Sequence, residues 1–533
     1  MFNPNAGMFG LTSHAGFYPI VWHQVASLGA WSWRETLIAN NVLLLAVALV
    51  WYLGLVYLAR TALPKVRHAP YLALAASLLA PVFPWRLTYG AALWPYCMAV
   101  ATCPAVIAMS IECWRRARTL MVVAAREQNT SVWGARARAA MALSAIIPFF
   151  VGSCLIHTSA AAMLLWPLFG ILLCQAVHSG IRSWRCERRA QAAAWWIGAV
   201  LAVVALVAFV MLPGPQQHHF GRYTELDWSN LTTKLLIPIT LDYFGGWAIE
   251  WIEMPLAALS LLGAAICLWR RRNWELVVAW IFSMSLILAA IAPIPVLSAF
   301  TGLFYRVPHR IKAMTAVLAV LLVVVALDAL RTWLSPLGAR AGSALRAALG
   351  RIGLASVSTA VLRAGAAVAA LAVCLPIMLI GSRAVATDVR EGYLPVHGDT
   401  RFIADTAELD MIRRLPDELP DNAVVIGDPV AGTGYIPILT GMRSVWVFPG
   451  QAADDQDGIY LRENFNRIHT DPHVCELLQR HGIQYFYADK DIVFNGNRLS
   501  KFRPGLYGVD TSSGFTLVDS GGTASLWRID ICG

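Results

Sequence analysis

Between residues 36 and 384 the sequence keeps returning to apolar runs of about 17–25 residues, the length an α-helix needs to cross a hydrocarbon core. Lipid offers backbone N–H and C=O groups no water, so such runs must be helices that bond within themselves. Ten spans are read, at about 36–60, 69–84, 92–110, 139–156, 158–178, 192–212, 254–270, 275–297, 311–332 and 364–384. From about residue 385 the pattern turns polar. The chain is 14% charged, against roughly 25% in a soluble domain, and the shortfall lies in the first part. The expected fold is a polytopic α-helical membrane protein of about ten spans with an exported C-terminal α/β domain. Residues 1–384 form the membrane part, with outer loops 1–35, 213–253 and 298–310, and residues 385–533 form the exported part.

Charge divides the same way. Up to residue 384 there are 29 basic and 11 acidic residues, which leaves 13 and 21 for the tail. A basic total raises nucleic acid as a partner, but the basic residues sit in short loops between spans, where membrane orientation explains them. One set of loops holds 21 Lys and Arg, among them Arg115, Arg116, Arg185 and Arg272; the opposite set holds seven. Lys and Arg favour the cytoplasmic side. Both termini then face outward, and a multi-pass cell-membrane protein with an extracytoplasmic tail is expected. An outward start of about 35 residues without a signal peptide has no evident route across, so a further span encoded upstream of Met1 is expected.

The tail alternates helix and strand signals. A helix is predicted over 404–415, closed by Pro416, and a second from Asp471-Pro472 through His481. Strands are predicted at 423–427, 444–448 and 483–488, with a hairpin over 515–519 and 524–529. Eight of the ten cysteines lie in or beside spans, where a thiol is a small apolar residue. Cys475 and Cys532 alone fall in the exported part, and an oxidising compartment favours a disulfide between them.

Several motifs bear on chemistry. Gly427 to Gly434 follows a strand but lacks the Lys-Ser/Thr of a phosphate loop, so it reads as a tight turn. Residues 453–458 are acidic but fail the register of a calcium loop. Arg306, His309 and Arg310 place three protonatable groups within five residues at the mouth of a span. Two readings fit them: a lipid-linked phosphate site, or side chains reaching toward headgroups. Asp242, Glu225, Asp227, Glu250 and Glu253 are outer carboxylates. A sugar-transfer enzyme would need one of these as general base or metal ligand. No cofactor is demanded by any motif; a divalent cation is compatible with these carboxylates, and no metal ligand set is assigned. His23 and His157 are outer-side histidines.

Tyr18-Pro19 with Trp22-His23, Trp94-Pro95-Tyr96, His157 at a span junction, and Phe304-Tyr305 with Pro308 and Arg310 together resemble an uncharacterised actinobacterial membrane-protein family (domain of unknown function 6541). A tail cysteine in a Leu-Leu-Gln-Arg-His-Gly helix and a last one after Leu526-Trp527-Arg528-Ile529 fit the same pattern. That family is in turn similar to the GT-C class of glycosyltransferases, which use a polyprenyl-phosphate sugar donor in an outward-facing cavity. Two departures stand out. Residues 1–34 lack the acidic residue that class usually carries in its first outer loop, and Val307 stands where the family has Asp.

The resemblance implies transfer of a sugar from a polyprenyl-phosphate carrier to a cell-envelope glycan, by inverting displacement at the outer face. The implied catalytic group comes from Asp242, His23, Glu225 and Asp227. Arg306, His309 and Arg310 would hold the lipid phosphate, and Tyr18, His157 and Tyr305 would line the cavity. Membrane lipids are the other expected partners. The alternative is a non-catalytic envelope assembly or transport protein. Transport calls for charge at mid-span, and Asp328 is the one acidic residue placed to supply it.

Overall fold

The computed structural model describes residues 20–31, 33–79, 87–88, 93–126, 132–211, 247–291, 297–304, 308–351, single positions between 375 and 387, 404–447, 456–494 and 497–533. The chain divides into two compact units, Leu43–Gly392, and Met1–Val42 with Tyr393–Gly533.

The helices, in order, are α1 (Val21–Ser27), α2 (Trp33–Ala62), α3 (Ala69–Leu79), α4 (Trp94–Arg126), α5 (Val132–Ser144) and α6 (Ile146–Ile156). They continue with α7 (Ser159–Arg185), α8 (Arg189–Met211), α9 (Trp247–Trp269), α10 (Trp274–Ile291) and α11 (Pro308–Arg351). Seven helical stretches among the described residues are long and apolar enough to cross a membrane, with α5 and α6 together making one; Ala69–Leu78 and Met254–Trp269 are shorter apolar helices. The expected span at 364–384 falls almost wholly outside the described residues.

α11 is the core of its unit. Its apolar window is 83% buried within the protein, against 11% for α8. It packs on α3, α9 and α10. A Cβ at Gly263 of α9 would lie 2.0 Å from the Leu322 carbonyl oxygen, so only glycine lets these two backbones approach. α11 also runs unbroken through Pro336 to Arg351. A proline removes one backbone bond, and the Ala-, Leu- and Arg-rich sequence around it has the helix propensity to continue.

The second unit holds α12 (Thr406–Glu418), β1 (Val424–Ile426), α13 (Tyr435–Thr440), β2 (Arg443–Ser444), α14 (Gln456–Asn464), α15 (Pro472–Arg480) and β3 (Tyr485–Ala488). A small ladder pairs β4 (Val493–Phe494) with β5 (Asn497–Arg498), and a hairpin of β6 (Phe515–Gly521) and β7 (Ala524–Ile529) completes it. The main sheet has the order β2-β1-β3-β7-β6, with the first three strands parallel, β7 antiparallel to β3 and β6 antiparallel to β7. Successive strand residues face opposite sides. Val424, Ile426 and Phe486 meet α14 and α15, while Val425, Tyr485 and Tyr487 meet α12 and α13. The sheet is therefore covered on both faces, an α/β arrangement.

Two local expectations change. α12 does not stop at Pro416 but reaches Glu418, and the Leu419 amide closes it on the Leu415 carbonyl at 2.9 Å; a proline in the last turn removes only one bond. The strand expected over 444–448 is the two-residue β2. Cys475 of α15 and Cys532 are disulfide-bonded, with Cα atoms 5.2 Å apart.

α12 starts with a capping box. The Asp405 carboxylate accepts the Glu408 amide at 2.9 Å, and the Glu408 carboxylate accepts the Asp405 amide at 2.7 Å. Glu408 is buried, and Thr523 donates to the neighbouring Asp489 at 2.6 Å. Burial, with the Asp489 charge adding to it, pushes the Glu408 pKa up to about 7. The unfolded value is about 4.3, so between the two the folded domain keeps a proton that the unfolded chain has released. That contribution is fully present below about pH 4.3 and is lost as pH rises through about 7. The carboxylates held low, such as Asp457, Asp491 and Asp530, act oppositely but only below about pH 4. Raising the pH from 5 to 8 is expected to destabilise the domain by on the order of 2 kcal/mol more in the wild type than in Glu408→Gln. Parallel melting curves across that range measure the difference; coincident pH profiles would contradict it.

Candidate functional site

Three stretches far apart in sequence meet at the end of the membrane unit where α4 and α11 begin. Pro95 and Pro308 sit at the starts of these helices, where a missing N–H costs nothing. Tyr96 and Arg310 therefore fall in the first turns. His157 is the extended residue between α6 and α7, with φ −161° and ψ 131°.

The Arg310 guanidinium lies over the Tyr96 ring, 5.5 Å from its centroid, a cation–π contact. The Tyr96 hydroxyl donates to the Arg310 backbone carbonyl. The His157 ring meets the Tyr96 ring edge-on, with centroids 5.3 Å apart and planes at 83°. His157 Nδ1 accepts the Ser159 amide at 3.2 Å, which puts the ring proton of a neutral imidazole on Nε2. The Ser159 hydroxyl donates to the Leu303 carbonyl in the 3-10 segment Leu297–Phe304. Tyr96, His157, Ser159 and Phe304 are all buried, and Arg310 Nε is enclosed. A guanidinium at a helix N-terminus, where the peptide dipoles add positive potential, makes this end of the bundle a place for an anion.

Of the residues picked from sequence, His157 and Arg310 are brought together. His309 belongs to the first turn of α11. His23 lies in the other unit, exposed on α1, next to the buried Trp22, whose indole donates to Asn40 at 2.7 Å. Tyr18, Glu225, Asp227, Asp242, Tyr305 and Arg306 lie outside the described residues. Among the described residues no group of three or more His, Cys, Asp or Glu could hold a metal ion.

Sequence reasoning did not place Tyr96 or Ser159 in the site. The signal for Tyr96 was present in Trp94-Pro95-Tyr96, an aromatic pair at a helix start. Lys312, in α11, is 3% exposed, a charge inside an otherwise apolar helix. Asp328, by contrast, pairs with Arg331 one turn on at 3.0 Å, an exposed and local contact. In the sheet domain, Gly427 to Gly434 forms a tight turn in which Asp428 caps a 3-10 segment. Gly432 has φ +116° there, and a Cβ on it would lie 2.5 Å from the Tyr487 hydroxyl.

Helices fit to cross a membrane, followed by a sheet covered on both faces, define a multi-pass membrane protein with a C-terminal α/β domain. The chain belongs to the family of unknown function DUF6541, whose model matches residues 4–531. No curated protein matches the chain. Among solved structures it is similar to the apo oligosaccharyltransferase of Archaeoglobus fulgidus, with a TM-score of 0.49 and 12% identity over 90% of this chain. The match covers 62% of that protein, so the chain spans less than two thirds of it.

Proposed function

We propose that this protein is a GT-C-like membrane glycosyltransferase that moves a sugar from a polyprenyl-phosphate donor to a cell-envelope glycan at the outer face of the membrane. The observation that carries the reading is the convergence of Tyr96, His157 and Arg310 around one guanidinium at a bundle end. A polyprenyl phosphate keeps its tail in lipid and its charge at headgroup depth, and a cation at the start of a span lies at that depth. In this reading Arg310, with Arg306 and His309, stabilises the departing lipid phosphate. The acceptor hydroxyl is activated by an outer-loop carboxylate from Asp242, Glu225 and Asp227, and Tyr305 completes the cavity. The local pairing of Asp328 with Arg331 supplies no mid-span charge of the kind a transporter would need.

Farnesyl phosphate is a suitable probe, with farnesol as the control that lacks the phosphate. Wild-type protein in nanodiscs is expected to bind the phosphate in preference to the alcohol. Arg310→Lys keeps the charge but loses the fork, and is expected to weaken phosphate binding by roughly tenfold. Equal binding of both probes, or a silent Arg310→Lys, would contradict the proposal and favour side chains that merely reach for headgroups.

A further inference from the structure

We infer that Tyr96 is a positioning residue, which holds the Arg310 guanidinium in the one orientation that presents its N–H donors to an anion; this rests on the functional reading above for the identity of that anion. Two contacts from one side chain fix both ends of the arginine. The Tyr96 hydroxyl binds the Arg310 backbone carbonyl, so the first turn of α11 is tied to α4. The Tyr96 ring carries the guanidinium on its face. A cation–π contact draws on the ring's electron density and does not consume the N–H donors. An arginine without such a platform spreads over many rotamers, and a two-bond grip on phosphate requires one.

Tyr96 can serve as a platform because it is itself immobile. It is 1% exposed, and the His157 ring abuts it edge-on. His157 is in turn held by the Ser159 amide, and Ser159 by the Leu303 carbonyl. Four pieces of chain are thus linked through Tyr96 and His157: α4, the α6–α7 turn, the 3-10 segment before α11, and α11 itself. A stabilising contact alone would need only one of the two bonds from Tyr96. Fixing the backbone and the charged tip together is what orientation demands.

The test separates ring from hydroxyl and has a readout that needs no ligand. Full-length protein labelled with 15N-arginine in nanodiscs gives an Arg310 Nε–H resonance, assigned by its disappearance in Arg310→Lys. In the wild type one sharp signal is expected; in Tyr96→Leu it broadens or splits, and farnesyl phosphate binds roughly thirtyfold more weakly. Tyr96→Phe keeps the ring and loses only the carbonyl bond, so a loss of roughly fivefold is expected. Farnesol binding is unchanged in both. A Tyr96→Leu protein that melts like the wild type, with an unaltered Arg310 signal and unaltered binding, overturns the inference. Should Tyr96→Leu not fold, Tyr96→Phe decides alike, because an unaltered signal and affinity there also overturn it. Absence of farnesyl phosphate binding in the wild type would sink the functional reading, and the Arg310 resonance alone would then decide the positioning role.

Discussion

Asp428→Ala is expected to destabilise the sheet domain by roughly 3–5 kcal/mol, the loss found when one partner of a buried ion pair is removed. The Asp428 side chain is 2% exposed and its Arg503 partner 9%, with 3.1 Å between them. Tyr507 donates its hydroxyl to the same carboxylate at 2.9 Å, and the Val430 amide donates at 2.8 Å. Burial and the Asp428 charge hold the Tyr507 hydroxyl firmly in its protonated, donating form. Removing the carboxylate takes a buried counter-charge from beside the Arg503 guanidinium and takes from the Tyr507 hydroxyl and the Val430 amide the acceptor they share. Net stabilities are only about 5–15 kcal/mol, so the effect approaches unfolding. Protease susceptibility and melting of the full chain in nanodiscs measure it. Asp428→Leu with Arg503→Met together removes both charges and is expected to be much less damaging than either single change. A single Asp428→Ala that melts like the wild type would show that the pair is not a structural anchor.

Loss of the Cys475–Cys532 bond is expected to be nearly as large. The two residues are 57 apart in sequence, and closing a loop of that length restricts the unfolded chain by about 4 kcal/mol in the chain-entropy model. Both cysteines pack against the core that α14 and α15 share with the sheet, and Gln479 donates to the Cys532 carbonyl. The bond therefore fastens the end of the chain to α15. Cys475→Ser, Cys532→Ser and the double variant should lose similar amounts, since each breaks the same closure. Loss of less than about 1 kcal/mol in the double variant would remove the disulfide from the forces that hold the domain.

Much of the architecture was legible in one dimension. Span length, the polar turn near residue 385 and the short apolar run around Val424, Val425 and Ile426 that marks a buried strand are properties of neighbouring residues. Hydrophobic length and period therefore report them directly. The pairing of two cysteines isolated in the tail follows from composition in the same way. Pro416 was the local misreading: it removes one helix bond, and only the surrounding contacts settle whether that bond is needed.

The site was half visible. Arg310 and His157 stand out as polar residues beside spans, but nothing near Tyr96 announces that it will carry a guanidinium 214 residues further on. Asp428 looked like one residue of a turn, yet it is the buried counter-ion of Arg503, 75 residues away. Partnerships of this kind depend on which helix starts or strand ends the packing brings within a few ångströms. Burial then decides their energy, because a charge inside the protein needs a partner that water supplies at the surface. The sequence alone determined the run of apolar helices, the C-terminal sheet domain that follows them and the chemical types at the bundle end. The tertiary structure decided which of those groups meet, because contact across such separations is set by packing and not by any local period.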